Sequence, residues 1–100
     1  MSVIKKYNDK DKSLVITING DFNFDVHNAF RNSYRGLSLD DVNSISINMQ
    51  NADYMDSSAL GMLLLLDEQF PDTPINIINT PDYIKQVLAV ANFETKFTIT

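Results

Sequence analysis

Three times in this chain a short run rich in β-branched residues gives way to a stretch with helical spacing. Each time another such run follows. Leu14 to Ile18, Ile45 to Met49, Ile75 to Ile78 and Lys96 to Thr100 read as strands, because branched and aromatic side chains suit a pleated sheet. Val3 to Tyr7 adds a fifth, joined to its successor by the polar stretch Asn8 to Ser13 as a hairpin. The order is ββαβαβαβ. Each strand–helix–strand unit is long enough for a right-handed parallel crossover, so the expected class is α/β, a mixed β-sheet with helices packed on it.

The helices are predicted from spacing and end signals. Val26, Ala29, Phe30 and Tyr34 fall at i, i+3, i+4 and i+8, with Asp25 as the expected N-cap and Gly36 just past the end. A second helix spans about Ser58 to Phe70 and stops at Pro71. Its apolar residues, Leu60 and Met62 to Leu66, occupy more than one face, which predicts a mostly covered helix. Leu60, Leu63 and Leu64 are expected to face the sheet. The plain reading makes all of these residues core; the sharper one leaves part of the Met62 side, which Leu66 shares, open beside Ser57 as an apolar docking patch. Thr80-Pro81-Asp82 reads as a third start, with Thr80 as cap, and Ile84, Val87, Leu88 and Ala91 form its stripe.

No linker, repeat or low-complexity segment divides the 100 residues, so one domain over 1–100 is expected. The chain has no Cys, which leaves no disulfide scaffold, thiolate zinc site or thiol nucleophile. Its net charge is −5, and the imbalance lies in the second half: residues 51–100 hold two basic and seven acidic side chains. That argues against nucleic acid, which calls for clustered Lys and Arg. The longest apolar run, Ala59 to Leu66, falls far short of the roughly 20 residues that span a bilayer. With no secretory signal at the N-terminus, a cytoplasmic protein away from the membrane is expected.

The residues that carry chemistry join the third strand to the second helix: Asp53, Asp56, Ser57, Ser58 and Gly61. Hydroxyls there lie at a helix N-terminus, where free amides and the helix dipole favour an anion. Ser and Asp are also ordinary N-caps, and that plainer reading accounts for them without further chemistry. Gly61 is costly inside a helix, about 1 kcal/mol against Ala, which predicts a close neighbour: a strand or a partner. His27 stands alone as the only histidine, and no hydroxyl–base–acid set can be built around it. Asp53 and Asp56 lack the further oxygen ligands a metal needs, and Gly20, Gly36 and Gly61 are too isolated for a phosphate loop. No enzyme activity, metal or cofactor is expected.

The string Asp56-Ser57-Ser58-Ala59-Leu60-Gly61-Met62-Leu63-Leu64 resembles the signature of STAS domains, the sulphate transporter and anti-sigma factor antagonist family. Gly20 to Asp25 falls where that family has its first strand-to-helix loop, and Ile45 to Met49 where a central strand precedes the signature. The resemblance implies the stand-alone anti-sigma factor antagonist type, which works by partner switching in transcription control and signal transduction. In such members the Ser after the Asp is phosphorylated by an anti-sigma-type serine kinase, and a PP2C-like phosphatase reverses it. By motif match that serine is Ser57, with Ser58 as runner-up and Asp56, Asp53 and Gly61 supporting it. Asn23, Asp25, Ser58 and Met62 are the implied partner contacts. The unphosphorylated form binds the kinase or anti-sigma factor, and the phosphorylated form lets go. Two departures stand out. The loop has Asn23 where members often carry an acid, with acids displaced to Asp21 and Asp25. No further helix follows the last strand, so its covering role would pass to another chain, for instance in a homodimer. The alternative is a constitutive STAS assembly or scaffold subunit that is never phosphorylated.

Overall fold

The structure is a computed structural model and describes residues 3–100. Its strands are β1 (Val3–Asn8), β2 (Ser13–Phe22), β3 (Ser44–Met55), β4 (Ile75–Ile78) and β5 (Thr98–Ile99). Its α-helices are α1 (His27–Tyr34), α2 (Ser57–Gln69) and α3 (Asp82–Val90). The strands form one sheet in the order β1-β2-β3-β4-β5. β1 and β2 pair antiparallel across the predicted hairpin, and the remaining neighbours are parallel. The expected mixed α/β architecture is therefore the observed one.

The order of the sheet decides where the helices go. From β2 to β5 each crossover steps one strand in the same direction, so right-handed connections place α1, α2 and α3 on one face. The side chains agree. Leu14, Ile16 and Ile18 of β2, Ile45 and Ile47 of β3, and Ile77 of β4 point to the helices and are fully or almost fully buried. The intervening Val15, Thr17, Ser46, Asn48 and Asn76 are only partly covered. One face is core and the other is a polar back. A run of aromatic rings fills the space between helices and sheet. Phe22 meets Phe30 at 5.2 Å between centroids, Phe30 meets Tyr34 at 6.0 Å, and Tyr34 meets Phe70 at 6.1 Å. The last two pairs are edge-on, the arrangement that ring quadrupoles favour.

Several local expectations are corrected. β3 runs on past Met49 to Met55 while losing strict alternation, because its pairing with β2 shifts register between Thr17 and Asn19 and again between Gly20 and Asp21. Gly20 takes φ +83 at the second shift, a backbone state that glycine tolerates best. Asp25 does not cap α1. A short 3₁₀ turn, Phe24–Val26, precedes that helix, and the Asn23 side chain caps the turn by accepting from the Asp25 amide at 3.0 Å. Gly36 lies just beyond α1 with φ +86, as its position implied. Thr80 is not the cap of α3 either: Pro81 holds that place, and the buried Thr80 hydroxyl donates to the Ile77 carbonyl. A 3₁₀ turn at Phe93–Thr95 precedes β5, which keeps only two residues.

α2 holds the largest correction. Met62, expected at an open patch, is buried at 5% exposure, while Leu64 and Leu65 turn outward and Leu65 is 52% exposed. A helix apolar on all sides gives no periodic cue to its own rotation, so the sheet contact selects Ala59, Met62, Leu63 and Leu66.

Candidate functional site

The site stands where β3 passes into α2. Met55, the last residue of β3, is buried, and the Asp56 amide donates to the Phe22 carbonyl at 3.4 Å. That bond ties the head of α2 to the loop carrying Asn23 and Asp25. Asp56 is extended (φ −122, ψ −175) and serves as N-cap. Its Oδ1 accepts from the Ser58 amide at 3.0 Å, the Ala59 amide at 3.2 Å and the Ser58 hydroxyl at 2.6 Å. These donors, the Ser58 hydroxyl foremost, hold the carboxyl below its usual value of 3.8, outweighing desolvation, which acts in the opposite direction.

This cap changes the expected anion chemistry. The Ser58 and Ala59 amides are already committed to the Asp56 carboxylate, and the Leu60 amide donates to the Asp56 carbonyl at 3.3 Å. Fewer donors are free at this helix end than the sequence pattern suggested, and a fixed negative charge sits among them. An added phosphate would meet repulsion from Asp56 as well as attraction from the helix dipole.

The two serines differ sharply. Ser58 is half-buried and spends its hydroxyl on Asp56. Ser57 is exposed, and its hydroxyl makes no hydrogen bond among the described residues. It opens onto a groove of about 530 Å³ between α2 and α3, lined by Tyr54, Met55, Leu60, Tyr83, Val87 and Val90 among others. Tyr83 is 53% exposed and Val90 86%, so the lining is apolar and open to solvent.

The remaining predicted residues are placed as follows. Asp53 is exposed on β3, Asn23 is half-buried and occupied with its cap, and Asp25 is exposed. Met62 faces the core and not an open surface. Gly61 is exposed, and a Cβ built on it would meet nothing within 4 Å, so no neighbouring strand explains it. The glycine still costs about 1 kcal/mol relative to Ala, with no return inside the domain. Phe24, Tyr54, Tyr83 and Val90 were missed from the sequence. Phe24 is 67% exposed and stacks on His27 with centroids 4.9 Å apart. The fold brings Tyr54 together with Tyr83 and Val90 from different elements, and the only available signal was an apolar residue at a solvent-facing position. Among the described residues no three His, Asp or Glu gather as a metal-binding group, and no helix is long and apolar enough to cross a membrane.

A mixed sheet with one-sided helices and an Asp-Ser-Ser junction heading the second helix defines a STAS domain. The STAS domain matches residues 3–100, and the chain belongs to that family. It is 37% identical over 90 residues to a STAS-domain containing protein of Pseudomonas aeruginosa, covering 88% of each chain. The fold is shared with an anti-sigma factor antagonist of Mycobacterium paratuberculosis (TM-score 0.80, 14% identity, 98% of this chain and 85% of that one). It is also shared with the Bacillus cell fate determinant SpoIIAA in its phosphorylated form (TM-score 0.63, 14% identity, 98% and 90%).

Proposed function

We propose that this chain is a phosphorylation-switched binding regulator, an anti-sigma factor antagonist in a cytoplasmic partner-switching pathway. Its unphosphorylated form binds an anti-sigma-type serine kinase. Phosphorylation of Ser57 releases that partner, and a PP2C-like phosphatase restores binding. The chain acts by binding and carries out no catalysis of its own. The observation that carries the reading is the contrast between an exposed, unbonded Ser57 hydroxyl and a Ser58 hydroxyl held by Asp56. Family membership and the kinship in fold with antagonists, one of them solved phosphorylated, support it.

The physical cause of release lies in the surroundings of Ser57. A phosphate brings about −1.5 to −2 charges. It would stand beside the Asp56 carboxylate and an apolar groove, and covering it with a partner would strip its water without supplying a cation from this chain. Asp53 adds to the negative surroundings, and the Asn23–Asp25 loop borders the same helix end. Incubation with the kinase followed by mass spectrometry tests the assignment. Phosphate is expected on Ser57; Ser57→Ala should stay bound and unmodified, and Ser57→Asp should bind weakly. Phosphate elsewhere, with Ser57→Ala behaving as wild type, would refute it.

The second reading is a constitutive assembly subunit, favoured by the outward Leu64 and Leu65. Light scattering separates the two, because a stable homodimer that covers Ser57 is incompatible with a switch.

A further inference from the structure

Two adjoining cavities lie between α1 and α2 at the end of the helical layer away from Ser57. The larger, about 350 Å³, is lined by Arg31, Tyr34, Leu65, Glu68 and Gln69. The smaller, about 160 Å³, is lined by Arg31, Tyr34, Arg35, Gly36, Leu37 and Gln69, with no acid among them. α2 runs from Ser57 to Gln69, so this end stands about 18 Å from the serine. Tyr34 is 8% exposed, its ring set edge-on to Phe30 and Phe70. Its hydroxyl makes no hydrogen bond among the described residues, although buried tyrosines usually find a partner. Burial raises the pKa of that hydroxyl and the Arg31 charge opposes the rise, which puts the guanidinium within electrostatic reach. Arg31 and Arg35 are one turn apart, and neither makes an ion pair among the described residues. Arg31 in the last turn of α1 complements the helix dipole. That role uses one cation and leaves Arg35, the Tyr34 hydroxyl and the Gln69 amide uncommitted.

We propose that the two cavities form a binding site for a small phosphate monoester, its phosphoryl group in the smaller one between Arg31, Arg35 and Tyr34 and its organic body in the larger. This site is separate from the Ser57 switch and does not depend on it. Charge selects the phosphoryl group. A monoester carries about −1.5 to −2 charges, which two guanidiniums balance, whereas one carboxylate would leave a cation over. Donor number agrees. Two guanidinium forks, a phenol hydroxyl and a carboxamide suit three acceptor oxygens better than two. Glu68 fixes the direction of binding. It lines only the larger of the two cavities and makes no ion pair among the described residues. Its charge repels a phosphate there and accepts a hydrogen bond from a hydroxyl of the body, while Leu65 supplies an apolar wall. The larger cavity has the size of a small-molecule site, about 300 Å³ or more. A ligand seated this way bridges α1 and α2.

The test titrates the full chain with glycerol 2-phosphate and, separately, with inorganic phosphate, at constant ionic strength and about pH 7.5, where the monoester is mostly dianionic. Amide and side-chain NMR shifts give the site and the affinity. Glycerol 2-phosphate should saturate with a dissociation constant of about 1 mM or tighter, moving Arg35, Gly36, Leu37 and the Gln69 side chain. Inorganic phosphate, which leaves the larger cavity empty, should bind more weakly at the same residues. Arg31→Gln and Arg35→Gln should each weaken the ester about tenfold or more, since each removes a charge-assisted contact. Tyr34→Phe should weaken it about two- to tenfold and leave the melting temperature of the free protein unchanged, because that hydroxyl has no partner in the fold. Four results overturn the proposal: no saturation by about 10 mM, shifts confined to Ser58 and Ala59, affinity unchanged in the Arg31→Gln, Arg35→Gln double variant, or inorganic phosphate binding as tightly as the ester. None of them touches the reading of Ser57.

Discussion

Replacing Asp56 separates the two ways in which a carboxylate holds the head of α2. Asp56→Ala removes the acceptor for two backbone amides and the Ser58 hydroxyl. Loss of an N-cap costs about 0.5–2 kcal/mol, and the partial exposure of this one lets water recover some of it, so about 1 kcal/mol is expected. In a domain of this size that lowers the melting temperature by about 4–8 °C. Asp56→Asn keeps an oxygen in place and loses only the charge at the helix end, worth about 0.3–1 kcal/mol. Urea denaturation followed by circular dichroism should rank the proteins wild type, Asn variant, Ala variant at neutral pH. The pH dependence follows from the direction of the shift. The folded carboxyl lies below its ordinary 3.8, so its charge stabilises the fold fully above that value and stops doing so as pH falls through the folded pKa. The wild type should therefore lose its margin over Asp56→Asn on acidification. An Asn variant as unstable as the Ala variant, or a margin that survives strong acid, would refute the argument.

Other outcomes are equally concrete. Met62→Ala should destabilise the protein by about 2–5 kcal/mol, because Met62 is 5% exposed; a neutral result in thermal melting would return it to the surface. Leu65→Gln should change stability by no more than about 0.5 kcal/mol in the same assay, since Leu65 is half exposed. Gly36→Ala should cost about 1 kcal/mol because φ is +86 there, opposite in sign to the gain expected from Ala at Gly61. Lys96→Ala should cost no more than about 1 kcal/mol and lose even that in high salt, its bond to Asp67 lying at the surface.

What was legible in the sequence was what neighbours along the chain decide. The junction at Asp56 and Ser57 is local capping chemistry, and three helices and five strands announced themselves by period. The rotation of α2 was not legible, because six apolar residues within Leu60 to Leu66 satisfy any orientation and only the sheet chooses Met62 over Leu64. The continuation of β3 to Met55 was hidden by register shifts against β2, which scramble the alternation that marks a strand. Thr80 lost its capping role by a single position, Pro81 taking the cap itself. Tyr54, Tyr83 and Val90 meet only through the fold, so no spacing rule joins them.

The one-directional march of crossovers gives the molecule a front and a back. Ser46, Asn48 and Asn76 lie on the side away from the helices, while Ser57, Gly61 and Leu65 look the opposite way. A tether, dye or fused domain fixed to that back leaves the Ser57 edge facing open solution. The domain can thus be anchored within a larger assembly and still present that edge to a diffusing partner.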